Sequence, residues 1–201
     1  MLMVRPRLRV RQEAFVSKSD FFSKWVPQSV EKQTNSPGES VAGMGTGRYN
    51  GVVAFVIRDF QPEDFDLIWR MDQECFPSGI AYSKPELRAY VRNRGAFTLL
   101  AAAAGDGRIQ GFIVAQGGAI GHIITIDVVA PARRSGVGSL LLRSAEERLK
   151  AEGSRAVGLE TAVDNTTALS FYKRHGYSVI RTWPRYYSNG VDALVLRKPL
   201  T

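Results

Sequence analysis

From Val52 onward the apolar positions recur with two different periods, and the switching between them predicts an ordered succession of strands and helices. Residues 52–57 read as a strand. Gln61-Pro62-Glu63-Asp64 opens a helix with proline and acids in its first turn, running to about Cys75 with Phe65, Ile68, Trp69 and Met71 on an apolar side. After Cys75-Phe76-Pro77 comes a loop, then a second helix that starts at the capping box Ser83-Lys84-Pro85-Glu86 and ends near Arg94-Gly95. Residues 96–104 and 108–116 are two strands joined by the hairpin signal Gly105-Asp106-Gly107. The β-branched run 122–129 (HIITIDVV) is a buried strand stopped by Pro131. The next run, 138–150, is a helix with Val137, Leu141, Ala145 and Leu149 on one stripe; Arg143, Glu146, Glu147 and Lys150 point to solvent, and Gly153 closes it. Residues 155–162 are a strand, Asp164 or Asn165 caps a helix to His175, and 177–183 and 191–196 pair as the last strands. The order β-α-α-β-β-β-α-β-α-β-β predicts an α/β protein built on a mixed sheet with helices on both faces.

Residues 1–50 break this pattern. They show no sustained period, and 35–50 is rich in Ser, Gly, Pro and Thr, so they read as a basic, loosely ordered extension ahead of a domain over 51–201. Phe21, Phe22 and Trp25 suit a short docking helix, and Met44 is an alternative start. The net charge of +8 is shared: 1–50 holds 8 Lys+Arg and 4 Asp+Glu, the remainder 19 and 15. A basic balance attracts nucleic acid, anionic membranes or a polyanionic cofactor, and the preferred reading is a solubilising tail plus a few cofactor-binding arginines. Cys75 stands alone, so there is no internal disulfide and no demand for an oxidising compartment; the cytoplasm is the expected location. No segment approaches the roughly 20 apolar residues of a membrane span, and the N-terminus lacks the apolar core of a secretory signal.

The candidate chemistry begins at Arg133-Arg134-Ser135-Gly136-Val137-Gly138, which joins a strand to a helix. Two glycines there let backbone N–H groups converge on an anion, with the helix dipole adding partial positive charge. The loop lacks the Gly-Lys-Ser/Thr of a Walker loop and the third glycine of a dinucleotide fingerprint, since Leu141 stands in that place. Glu160, at the carboxyl end of the following strand, stands where open α/β sheets bind ligands, and can act as a base. Asn165 and Tyr172, two turns apart, share a helix side with the small Ala168. Each has a plainer reading when taken singly: Glu160 as a solvated strand end, Asn165 as a helix cap, Tyr172 as a core aromatic, and the glycine loop as a tight turn.

Together, Val129-x-Pro131-x-Arg133-x-x-Gly136-x-Gly138, Leu159-Glu160 and Asn165-x-x-Ala168-x-x-x-Tyr172-x-x-x-Gly176-Tyr177 resemble the acetyl-CoA-binding core of the GNAT N-acetyltransferases. The tail Pro184-Arg185-Tyr186-Tyr187-x-x-Gly190-x-Asp192-Ala193 is similar to the RimI-like branch that acetylates protein N-termini, and Cys75-Phe76-Pro77 with Tyr82-Ser83 resembles that branch's substrate loop. The resemblance covers about residues 52–199 and implies a GNAT-like fold with a largely antiparallel sheet. It implies cofactor contacts from Arg133 and from the amides of Arg134, Ser135, Gly136, Val137, Gly138 and Ser139, which hold the coenzyme pyrophosphate. Val128 would give the N–H that binds the acetyl carbonyl, and Asn165 a further coenzyme contact. Glu160 would be the general base through water, Tyr172 the acid that protonates the thiolate, and Phe76, Tyr82, Tyr186 and Tyr187 the acceptor side. Val191 stands where the branch commonly has an acid.

The residue types suit acyl transfer in their own right. An amine attacks only when neutral, a carboxylate can take its proton, and a backbone N–H can stabilise the oxyanion. A peptide α-amine, at about 8, is easier to deprotonate than a lysine side chain at about 10.4. Cys75 has no adjacent base and reads as core. His122 and His175 have no metal-ligand pattern, so no metal is expected, and His175 beside Gly176 caps its helix. The expected activity is acetyl-CoA-dependent transfer to a protein N-terminal amine, with a ribosomal protein among the acceptors. The alternatives are a small-amine or lysine acetyltransferase and a non-catalytic acyl-CoA sensor. Nucleic acid is not the expected partner, and no oligomeric state follows from the sequence.

Overall fold

The strands are β1 (Phe55–Asp59), β2 (Ala96–Ala103), β3 (Ile109–Gln116), β4 (Gly121–Val128), β5 (Ala156–Ala162), β6 (Ser178–Trp183) and β7 (Ala193–Pro199). The helices are α1 (Phe65–Cys75), α2 (Lys84–Val91), α3 (Val137–Ala151) and α4 (Thr166–Arg174), with single 3-10 turns at Pro62–Asp64 and Ala130–Ala132. The computed structural model describes residues 54–76, 81–187 and 189–201, all within one compact unit. The expectations for residues 1–50, including the docking helix and the Met44 start, lie outside the described residues, as do Pro77 and the first positions of the 52–57 strand.

The sheet runs β1-β2-β3-β4-β5-β7-β6, and every neighbouring pair is antiparallel except β4 with β5. Because successive strand residues face opposite sides, the sheet splits the core in two. Leu99, Ala101, Ile113, Ala115, Ile126 and Val128 face α3 and α4. Leu100, Phe112, Val114 and Ile124 face α1 and α2.

Local rules account for most boundaries. Ser83 and Glu86 exchange the two bonds of the capping box, Ser83 N–H to Glu86 Oε2 at 2.9 Å and Glu86 N–H to Ser83 Oγ at 3.4 Å. At the end of α3, Gly153 takes φ +91°, and Ser154 N–H donates to Leu149 O at 2.9 Å. His175 Nδ1 lies 2.8 Å from Phe171 O, at the last carbonyls of α4.

Two expectations need correction. Glu146 is buried rather than solvated: its carboxylate accepts from Tyr177 Oη at 2.9 Å and from Lys198 Nζ, so β7 and the start of β6 cover that flank of α3. The last strand begins at Ala193, not 191, because the preceding residues close the β6–β7 turn. Asp192 Oδ1 accepts from Arg185 N–H at 2.7 Å, and Val191 O from Tyr187 N–H at 3.0 Å.

The parallel pair is short. β4 and β5 pair only at Gly121–Val157 and His122–Gly158. Immediately beyond, β4 carries a bulge: Ala115 pairs with Ile123 and Val114 with Thr125, leaving Ile124 as the extra residue. A bulged strand bends, and from this point β4 stays with β3 while β5 continues beside β7. The result is a gap between the carboxyl-terminal halves of two parallel strands.

Candidate active site

One wall of the gap is the end of β4. Gly111 and Val128 are partners in the ladder, and Val129 N–H donates to Gln110 O at 3.0 Å. That bond marks Gly111–Val128 as a non-hydrogen-bonded pair, so strand alternation turns the N–H and C=O of Val128 away from β3 and towards the space beside β5. The chain then turns into α3 through two residues with positive φ, Arg134 at 64° and Gly136 at 94°. Gly136 is the N-cap and makes no side-chain cap bond, which leaves the first amides of α3 available to an external acceptor. Ser135 Oγ donates to Ala132 O at 2.6 Å and fixes the turn. Arg133, expected at the cofactor, directs Nε to Val128 O at 3.1 Å.

The other wall is β5 and α4. Asn165 caps α4, its Oδ1 accepting from Ala168 N–H at 3.1 Å, while its buried Nδ2 has no hydrogen-bond partner. Tyr172 is fully buried and its hydroxyl is likewise without a partner. An unmet buried hydroxyl costs about 1–3 kcal/mol, so two such donors on one helix mark a place prepared for acceptor atoms. Burial raises the Tyr172 phenol well above its ordinary pKa, and the Asp127 charge adds to this. Tyr172 belongs to the α3/α4 side and Asp127 pairs with Phe112 of the α1/α2 side.

On the α1/α2 face, Glu160 is 2% exposed, and its Oε2 lies 2.8 Å from His122 Nε2. Gly158, ladder partner of His122, has no side chain between that ring and Glu160, two residues further on. Tyr186 has its phenol pushed far up, first by burial and then by the Glu160 charge, with Tyr187, Tyr82 and Tyr90 contributing. Tyr186 stacks on Trp183 at 5.3 Å and meets Tyr187 edge-on at 5.2 Å; Tyr82 and Tyr90 are 5.2 Å apart. The Tyr82 backbone is tied to α1, its N–H donating to Asp72 Oδ2 at 2.7 Å and its O accepting from Gln73 Nε2 at 2.8 Å.

The structure therefore brings Tyr186 near Glu160, with Tyr82 and Tyr187 beside Tyr186, whereas Phe76, like the buried Tyr82, belongs to the α1/α2 core. His122, Tyr90, Trp183 and Asp72 join the candidate site through these contacts, although the sequence motifs do not include them. The one sequence signal for His122 was a polar residue leading an apolar strand. Among the described residues no group of three or more His, Cys, Asp or Glu could hold a metal ion, and no helix is long and apolar enough to cross a membrane.

The sequence matches the family described as "Acetyltransferase (GNAT) family" over residues 65–177. An uncharacterised N-acetyltransferase of Methanocaldococcus jannaschii is 30% identical over 145 residues, covering 71% of this chain and 90% of that protein. An N-alpha-acetyltransferase of Sulfolobus acidocaldarius is 36% identical over 81 residues, 40% of this chain, and the match spans about half (48%) of that protein. Among solved structures, the NatC complex bound to Gag peptide and CoA is similar with a TM-score of 0.65 at 25% identity, covering 73% of this chain and 99% of the matched one.

Proposed function

The chain belongs to the GNAT acetyltransferase family and is an acyltransferase enzyme, and from that premise we propose that it uses acetyl-coenzyme A to acetylate the α-amine at a protein N-terminus. The observation that carries this reading is the gap between β4 and β5, with the unpartnered Tyr172 hydroxyl on the α3/α4 face of the sheet and the Glu160–His122 pair on the α1/α2 face. Residues 51–201 form the catalytic domain, residues 1–50 an extension from it, and the cytoplasm the working compartment.

The residues fit the coenzyme. The open amides at the start of α3, with the αL turn before them, suit a pyrophosphate, and the unmet Asn165 Nδ2 supplies a further donor. When bound, acetyl-coenzyme A supplies an activated thioester. The Val128 N–H donates to the acyl oxygen, where negative charge develops. Glu160, with His122 at 2.8 Å, takes the proton that the ammonium must lose before it attacks. The Tyr172 hydroxyl, held protonated by burial, donates to sulfur as charge builds there. Transfer is direct, with no acyl group on the protein.

An α-amine is favoured over lysine by its lower pKa, about 8 against 10.4. The curated relative named as an N-alpha-acetyltransferase supports the same choice. The aromatic cluster of Tyr82, Tyr90, Trp183, Tyr186 and Tyr187 gives the first residues of an acceptor chain an apolar seat. A ribosomal protein, as in the RimI-like branch, is one such acceptor.

Thiol release from acetyl-CoA tests this with three acceptor sets: peptides with free Ala, Ser or Met N-termini, the same peptides blocked but carrying lysine, and small polyamines. Turnover confined to free N-termini is the expected result. Turnover confined to polyamines or lysine would overturn the acceptor assignment and leave acetyl transfer standing.

A further inference from the structure

We propose that Arg133 is a positioning residue that fixes the end of β4, not a ligand of the coenzyme phosphates; this rests on the acetyl-transfer reading above. The reason lies in the Val128 carbonyl. It faces away from β3, and β5 has already diverged, so the sheet offers it no ladder partner. Val128 is 5% exposed, and a buried carbonyl left unmet is costly. Two donors from outside the sheet meet it: Arg133 Nε at 3.1 Å and Cys75 Sγ, at the end of α1, at 3.5 Å. Arg133 Nη2 also reaches Cys75 Sγ at 3.9 Å.

Arg133 thus ties three segments together, the end of β4, the turn into α3 and the last residue of α1. The neighbours of this tie are the parts that must hold still during reaction. The Val128 N–H belongs to the same residue, and Arg134, directly after Arg133, is a non-glycine residue at φ 64°. Such a conformation is strained for a residue with a Cβ and persists only where its surroundings impose it. Burial pushes the Cys75 thiol up to about 11, which keeps it an S–H donor to the same carbonyl at neutral pH. Removing Arg133 would loosen the strand end and misplace the Val128 amide. That is a loss in turnover, whereas removing a phosphate ligand is a loss in donor binding.

The two roles separate with a shortened donor. Wild type, Arg133→Met and Arg133→Gln are each assayed with acetyl-CoA and with S-acetylpantetheine, a thioester that lacks the pyrophosphate and nucleotide, and their thermal midpoints are recorded. The expected result for Arg133→Met is a kcat about tenfold lower with both donors, with the ratio of the two KM values unchanged. Arg133→Gln, uncharged but still a donor to Val128 O, should recover most of that loss. A tenfold rise in KM for acetyl-CoA alone would overturn the proposal, as would a glutamine variant as impaired as the methionine one. If Arg133→Met does not fold, the KM and kcat of Arg133→Gln decide by the same criteria. A wild-type protein inactive with both donors overturns the acetyl-transfer reading, and this proposal with it.

Discussion

The two sides of the gap are built in opposite ways. The proposed donor side is short in sequence and made of backbone: Val128, the turn through Arg134 and Gly136, and the first turn of α3, with Asn165 and Tyr172 beside it. Its characteristic feature is unmet donors. The proposed acceptor side is made of side chains brought from α1, α2, β4, β5 and the β6–β7 turn, and its acids are already engaged, Glu160 with His122 and Asp72 with the Tyr82 backbone. A site for a fixed, anionic cofactor can be left waiting with open amides, because water serves them until the ligand arrives. A site that handles a proton needs its carboxylate held and its surroundings dry. The acceptor side is therefore expected to report through turnover, and the donor side through stability as well as turnover.

The largest effect is expected from Glu160→Gln. Loss of a general base costs typically 10²–10⁴ in rate, and kcat should fall by about that range while KM for acetyl-CoA moves less than about threefold. Steady-state thiol release with a free-N-terminus peptide measures both. A kcat within a factor of about three of wild type would move the proton-accepting role away from this carboxylate.

The order of elements was legible because hydrophobic period is a local property. The stripe Val137, Leu141, Ala145 and Leu149 is buried as its spacing predicts. Glu146 was misread because its environment is supplied by Tyr177 and Lys198, which no helical period contains. The donor motif was legible for the same local reason, since turn and glycines lie within a few residues. The gap itself was not: it starts at the extra residue Ile124, and a bulge is visible only once β3 and β4 are in register. His122 escaped notice because its approach to Glu160, 38 residues away, depends on the parallel pairing of His122 with Gly158.

Tyr172→Phe sharpens the contrast with effects of opposite sign. The hydroxyl is buried without a partner in the free protein, so its removal should raise stability by about 1 kcal/mol, or roughly 2–4 °C in thermal midpoint for a chain of this size. The same change should lower kcat about tenfold if the hydroxyl serves the departing sulfur. Coenzyme affinity should hardly change. Calorimetry on the free protein and thiol release on the same preparation test the two signs together. A variant that is both less stable and fully active would make Tyr172 a packing residue only.

The smallest effect is expected where the acceptor side is merely anchored. Arg58 grips Asp64 with two bonds, Nη1 to Oδ2 at 2.6 Å and Nη2 to Oδ1 at 2.7 Å, holding β1 to the start of α1. The Arg58 bond holds the Asp64 carboxyl below its usual range, and the backbone N–H of Gln61 assists. The arginine side chain is 39% exposed, so solvent screens the pair, and its contribution should not exceed about 1 kcal/mol. The sign follows from the lowered pKa: the contribution is full above the unfolded value of about 3.9 and disappears as pH falls through the lower folded value. Asp64→Asn should therefore unfold at slightly lower denaturant at pH 7, and the difference from wild type should close as pH falls through the lowered folded value of Asp64. Neither KM should change, because Tyr82 is tied to Asp72 and Gln73 further along α1, not to its first turn. A raised peptide KM in this variant would mean that the foot of α1 and the acceptor loop move as one body, making α1 part of the acceptor side rather than its support.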